Sequence, residues 1–139
     1  MTTTRRPFAD AIARLRQAGL RPTRQRLALG RLLFDAGDRH VTAEMLHDEA
    51  VKAGQSLSLA TVYNTLHQFT SHGLLREVVV DSGRAYFDTN VSDHHHFFHE
   101  QTGLLIDIPG ESLAVSGLPE APGGTCIARV DVVIRVRSA

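Results

Sequence analysis

The sequence has few of the features that would settle its class at once. It contains one cysteine, Cys126, in 139 residues, which excludes an internal disulfide and any structural four-cysteine zinc site within one chain. No apolar run approaches the roughly 18 residues that a bilayer span requires. Arg5 and Arg6 stand near the start, but no apolar stretch follows them, so no secretory leader is expected. These absences predict a cytoplasmic protein with no membrane partner.

What is present is ordinary for a soluble fold: 42% apolar and 22% charged residues, unlike a disordered tail. The length allows one domain, or two small ones that share a core with a partner chain. The formal net charge is zero, yet the charge is unevenly spread. Residues 1–73 carry a net +4 and residues 74–139 a net −4, and before residue 32 eight arginines face one aspartate. A basic first half joined to an acidic second half points to a polyanion-binding module attached to something else, with an arginine-rich solvated helix face as the alternative.

Hydrophobic spacing predicts helices in the first half. Phe8, Ile12 and Leu15 lie on one face of a helix over 8–18 that Gly19 stops. Thr23 is the expected N-cap of a second helix with Leu29, Leu32, Leu33 and Ala36 inward, ended by Gly37. A third opens at Thr42, turns Leu46, Ala50 and Ala53 inward and closes at Gly54, with His40 in the loop before it. The fourth runs from a capping Ser58 to Gly73 and buries Leu59, Val62, Leu66 and Phe69, leaving Thr61, Asn64, Thr65 and Gln68 as an uncharged polar face. Residues 74–80 then change to an apolar strand, Asp81-Ser82-Gly83 makes a turn, and residues 84–88 return. Helices followed by a hairpin is the order of a winged helix-turn-helix, whose last helix enters the major groove. Asn and Gln on that helix can pair bidentately with adenine.

The second half reads differently. Residues 97–100 and 104–108 form two expected strands around Gln101-Thr102-Gly103. A loop-rich stretch over 109–124 includes a short helix near Ser112, and alternation predicts a long strand over 126–136. About fifty residues with three strands bury too little surface alone, so pairing with a second copy is expected.

Four of eight histidines, His94, His95, His96 and His99, fall within six residues. In an extended chain His94 and His96 share one side and His95 takes the other. Imidazole ligates zinc, iron and copper, and it is the usual axial ligand of haem iron. Asp88 could add an oxygen ligand, and His40 could join a site reaching both halves. His47, His67 and His72 sit on the helices as surface or capping residues. A metal-dependent hydrolase would need a general base beside an open coordination position. No carboxylate is placed for that duty, so the chain is read as a non-enzyme.

The stretches AGLRPTRQRLALGRLLF from Ala18, HVTAEMLH from His40, SLATVYNTLHQF from Ser58 and HHHFF from His94 resemble the ferric uptake regulator (Fur) family. That resemblance implies an α+β homodimer: a winged-helix DNA-binding domain over 1–88, then a small α/β dimerisation and sensing domain over 89–139. It implies double-stranded operator DNA as partner, with Tyr63 and Asn64 (and Thr61 beside them) at the major groove and Arg21 toward the minor groove. Asn64 stands where arginine is common. A hinge metal site would use His40, Asp88, His94 and His96, with Asp107 nearby, for Fe²⁺, Mn²⁺ or Zn²⁺. Asp93 and His95 match only part of the family's second site, because no histidine follows His99. The missing cysteine pairs and HHHFF look like the iron response regulator (Irr) subgroup. This resemblance implies haem at His94, His95 and His96, lowering DNA affinity. The subgroup's Cys-Pro haem motif is absent, since Ile127 follows Cys126.

Overall fold

A computed structural model describes residues 9–81 and 83–139. Phe8, Arg5 and Arg6 of the N-terminal reading, and Ser82 of the turn, lie outside the described residues. The chain divides into two compact units, one ending at Val91 and the other running Ser92–Ala139. Helices are confined to the first unit apart from one short turn, and each unit holds a three-stranded sheet, an α+β arrangement.

In the first unit, α1 (Ala9–Gln17), α2 (Arg24–Phe34), α3 (Ala43–Lys52) and α4 (Leu59–Ser71) surround one apolar core. Three of them begin on a side-chain cap. Thr23, Thr42 and Ser58 each have extended backbone and accept a hydrogen bond from an early helical N–H, which satisfies one of the donors a helix start leaves over. Leu15, Leu29, Leu33, Leu46, Ala50, Val62, Leu66 and Phe69 fill the centre. Phe34 and Phe69 meet at 6.2 Å between ring centroids, and the Arg14 guanidinium lies 4.5 Å above the Phe34 ring. Gly73 holds φ at +79°, a conformation open to glycine at little cost. There Leu74 N–H reaches back to Phe69 C=O at 2.9 Å, closing α4.

The sheet of this unit has the order β1-β3-β2, all antiparallel, from β1 (His40–Val41), β2 (Arg76–Asp81) and β3 (Arg84–Asp88). Several boundaries differ from the sequence reading. α2 ends at Phe34, so Ala36 is exposed, and Ala53 at the end of α3 is exposed too. Leu59 is only partly covered because it sits in the first turn of α4, ahead of the packed segment. His40 belongs to a strand rather than a loop, since β3 extends far enough to pair with it. Leu74 and Leu75 precede the strand proper: Leu74 closes the helix, and Leu75 packs into the core before β2 begins at Arg76.

The second unit is built from β4 (His94–His99), β5 (Leu105–Pro109) and β6 (Val133–Val136), in the order β5-β4-β6, with β4 and β5 antiparallel and β4 and β6 parallel. A 3-10 turn covers Gly110–Ser112. β4 begins three residues earlier than expected because Pro109 and Ile108 pair with His94 and His95. β6 is much shorter than the alternation over 126–136 implies. Its register sets Val133 beside His96, so residues before about 131 lie beyond the start of β4. Alternation fits a strand, but a strand also needs a neighbour. Gly110 approaches so closely that a Cβ there would lie 2.7 Å from the Asp93 carbonyl oxygen. That contact fixes the corner at which the histidine strand starts.

One cap gives a direct stability test. Ser58 Oγ accepts from Thr61 N–H at 3.1 Å. Ser58→Ala should cost about 1 kcal/mol, a fall in melting temperature of about 4–8 °C for a unit of this size, measured by circular dichroism.

Candidate metal centre and nucleic-acid interface

Register explains which histidines meet. On the antiparallel pair β4–β5, His96 stands opposite Asp107 and His94 opposite Pro109. Residues i and i+2 of a strand share a face, so His94, His96 and Asp107 converge while His95 and Phe97 turn away. Both imidazoles are buried, at 4% and 1% exposure, and Asp107 remains partly open. Their Nε2 atoms each lie 3.4 Å from Asp107 Oδ1, and the two rings are 4.6 Å apart between centroids. Atoms that share one ion at about 2.1 Å sit about 3.0–3.4 Å from each other. Both Nε2-to-Oδ1 distances already fall at that spacing.

Tautomers follow from the partners. His94 Nδ1 is 2.6 Å from the Ser92 carbonyl oxygen. A carbonyl can only accept, so Nδ1 carries the hydrogen, and in the neutral ring the lone pair is on Nε2, facing Asp107. His95 is set the opposite way. Its Nδ1 accepts from Val132 N–H at 3.1 Å, so the hydrogen of its neutral ring sits on Nε2.

In the first unit His40 and Asp88 are register partners on β1 and β3, with His40 Nε2 3.2 Å from Asp88 Oδ2. Asp88 is fully buried, and its other oxygen accepts from Asn90 N–H at 2.9 Å. Arg76 stands opposite Asp88 on β2, so cross-strand geometry puts it on the same face. The neighbour of His40 anchors the strand. Arg39 makes a two-pronged contact to Glu49 at 2.9 and 2.6 Å and donates to Leu32 C=O at 2.8 Å, while its N–H donates to Thr89 Oγ1 at 2.9 Å and its C=O accepts from Thr89 N–H at 3.1 Å. Sequence reading missed Arg39, Asn90 and Ser92. Of these only Arg39, beside His40 and ten residues before an acidic partner, left a trace in side-chain chemistry.

On α4, Tyr63, Asn64, His67 and Gln68 are exposed. Tyr63 donates its hydroxyl to Glu44 at 2.7 Å, and this hydrogen bond, ahead of desolvation and the carboxylate charge, raises its pKa above the usual phenol value. Thr65, expected on the polar face, is buried and donates to Thr61 C=O at 2.9 Å. It faces inward because it follows Val62 by three and precedes Phe69 by four, on the packed side. Thr61 is half-buried, with its hydroxyl 3.0 Å from Ser58 Oγ inside the cap. Arg21 is exposed in the segment before α2. His47 Nε2 contacts Leu57 C=O, and His72 caps the end of α4 through Gln68 C=O. His67 lies edge-on to Phe87 and stacked beside Tyr63.

The sequence model of the ferric uptake regulator family matches residues 17–117. The chain belongs to that family. It is 36% identical over 98 residues to the peroxide-responsive repressor PerR of Staphylococcus aureus strain Mu50, a match covering 70% of this chain and 66% of that relative. The chain thus aligns with a little under two thirds of the length of that curated relative. Among solved structures, the ferric uptake regulator from Pseudomonas aeruginosa with manganese is 28% identical, with TM-score 0.68 over 92% of this chain and 97% of that one. The Vibrio cholerae ferric uptake regulator, at 22% identity, shares the fold with TM-score 0.71 over 91% and 98%. Within this Fur-family chain, no helix of the described residues is long and apolar enough to cross a membrane.

Proposed function

We propose that this Fur-family protein is a metal-responsive transcriptional regulator that binds operator DNA as a homodimer. The observation that carries the reading is His94, whose Nδ1–H is tied to Ser92 so that Nε2 faces Asp107 beside His96. A buried pair of imidazoles with a carboxylate suits a first-row divalent ion. By the family resemblance, His40 and Asp88 are further expected ligands. When bound, the ion would supply positive charge that draws these ligands together.

The chain's own residues do the rest. Asn90 N–H and the Ser92 carbonyl orient the ligands that touch the ion, as outer partners do in metal sites generally. Arg39 ties β1 to α2 and α3, so a shift at His40 reaches the helices that seat α4. Tyr63 and Asn64 are presented outward for base edges, Arg21 for the backbone or minor groove, and the arginine excess supplies the electrostatic part of affinity. The homodimer reading is supported by the exposed apolar side chains Phe97, Leu104, Ile106 and Ile127 of the second unit, more than so small a sheet would leave to water. Domain duties follow: DNA binding before about residue 88, dimerisation and sensing after it.

The iron response regulator reading places haem at His94–His96 with the opposite sign. The tautomers favour the ion. Haem iron would take an imidazole lone pair from an open face, yet the two rings with Nε2 turned to Asp107 are buried. His95 would have to break its bond from Val132 N–H before Nε2 could ligate.

Electrophoretic retardation of a duplex selected by the wild-type protein tests both readings. Mn²⁺ should tighten the complex about 10- to 100-fold over chelated protein, the usual range of allosteric coupling. Haem should leave it unchanged. Haem-induced release without a metal effect would overturn the divalent reading in favour of the haem one. Indifference to both would remove the sensor altogether.

A further inference from the structure

Arg26 links two parts of the DNA-facing surface that the family resemblance does not connect. Its Nη1 donates to the Arg21 carbonyl oxygen at 2.9 Å, and its Nε and Nη2 both donate to Gln68 Oε1, at 3.3 and 3.0 Å. The residue is half-buried at the start of α2, while Arg21 and Gln68 are exposed. One guanidinium therefore ties the segment bearing Arg21 to the reading helix α4.

The chemistry fixes more than position. A guanidinium has donors and no acceptor, so the Gln68 atom facing it must be the oxygen. Two N–H groups converge on that oxygen, leaving the amide nitrogen, which has only hydrogens to offer, as the outward end. A glutamine that reads adenine needs both a donor and an acceptor free. Gln68 in this state has one kind only, so the adenine-pairing duty expected of it from sequence falls to Asn64 alone.

We propose that Arg26 is a positioning residue that makes Gln68 a donor-only reader, directed at acceptor groups of the operator. This inference rests on the DNA-binding reading above. Acceptors come from two sources on a duplex: phosphate oxygens, and the O6 and N7 edge of guanine, which presents two acceptors side by side and no donor. A phosphate contact would contribute evenly to all sequences, whereas a guanine contact would create a preference at one base pair.

The test uses full-length dimer and a duplex selected by wild-type protein from a randomised library. Arg26→Lys keeps the charge but loses the two-pronged contact, and Gln68→Ala removes the reader. Each should weaken binding about 10-fold, the order expected for losing a phosphate hydrogen bond or a base-edge contact. The double variant should be no weaker than about 10-fold, because the two act as one unit. The salt slope of Arg26→Lys should match wild type, since no cation is lost. Gln68→Glu retains an acceptor for Arg26 but has no N–H, and it should bind at least as poorly as Gln68→Ala. Repeating the selection with Gln68→Ala separates the two sources: unchanged preferences mean phosphate, and a lost G·C preference means guanine.

A double variant weakened about 100-fold, wild-type affinity in Gln68→Glu, or a lost A·T preference in Gln68→Ala would each overturn the proposal. Failure of the wild-type protein to select any duplex would instead overturn the DNA-binding reading, and the role of Gln68 with it.

Discussion

Replacing His96 with alanine is expected to abolish the metal response while leaving a folded protein. His96 is 1% exposed, and its Nε2 lies 3.4 Å from Asp107 Oδ1, at the meeting point of β4 and β5. Removing a partner that merely orients a ligand costs about 10- to 100-fold in metal affinity, so removing a ligand itself should cost at least about 100-fold. Competition with a fluorescent chelator reads this directly, without DNA. In retardation assays the variant should match chelated wild-type protein whether or not Mn²⁺ is present. His95→Ala is the informative companion. That ring turns to the opposite face and engages Val132 N–H, so its loss should leave Mn²⁺ affinity within about 3-fold, a shift too small for a lost ligand. The reverse pattern, with His95 essential and His96 dispensable, would mean that the ion is not held on the buried face of β4.

Much of this arrangement is legible in the residues, for identifiable reasons. Caps at Thr23, Thr42 and Ser58 are local chemistry, so their positions are written in the sequence. The facing of His94 and His96 away from His95 follows from strand geometry once the run is extended. What sequence hides is whatever depends on a distant neighbour. β6 begins only at Val133, set beside His96 of β4, and nothing in the alternation of residues 126–136 records that. Thr65 looks polar in a list of residues, yet its hydroxyl finds the Thr61 carbonyl one turn back, which lets a hydroxyl be buried at little cost. The tautomer of His94 is set by a backbone carbonyl, which any residue at 92 would provide. The shared facing of His94 and His96 was therefore readable, and the tautomers were not.

The other large effect is expected at a residue remote from any ligand. Phe69 is fully buried on the inner side of α4, 6.2 Å from the Phe34 ring. Arg14 of α1 lies over the Phe34 ring at 4.5 Å, so contacts to Phe34 join α1, α2 and α4. Truncating a buried phenylalanine to alanine costs about 3–5 kcal/mol, a large part of the roughly 5–15 kcal/mol that holds a domain together. Urea unfolding of metal-free Phe69→Ala should therefore show a much lower midpoint for the helical signal. Thr65→Val is the control on the same face of α4. It removes a hydroxyl and its own bond to Thr61 together, leaves no buried donor unsatisfied, and should cost less than about 1.5 kcal/mol. DNA affinity should fall in Phe69→Ala even where most molecules remain folded, because Tyr63, Asn64 and Gln68 keep their positions only while the opposite side of the helix is packed. A loss below about 1 kcal/mol would show instead that these contacts leave a site able to collapse around the missing ring. The seating of α4 would then have to come from Val62 and Leu66.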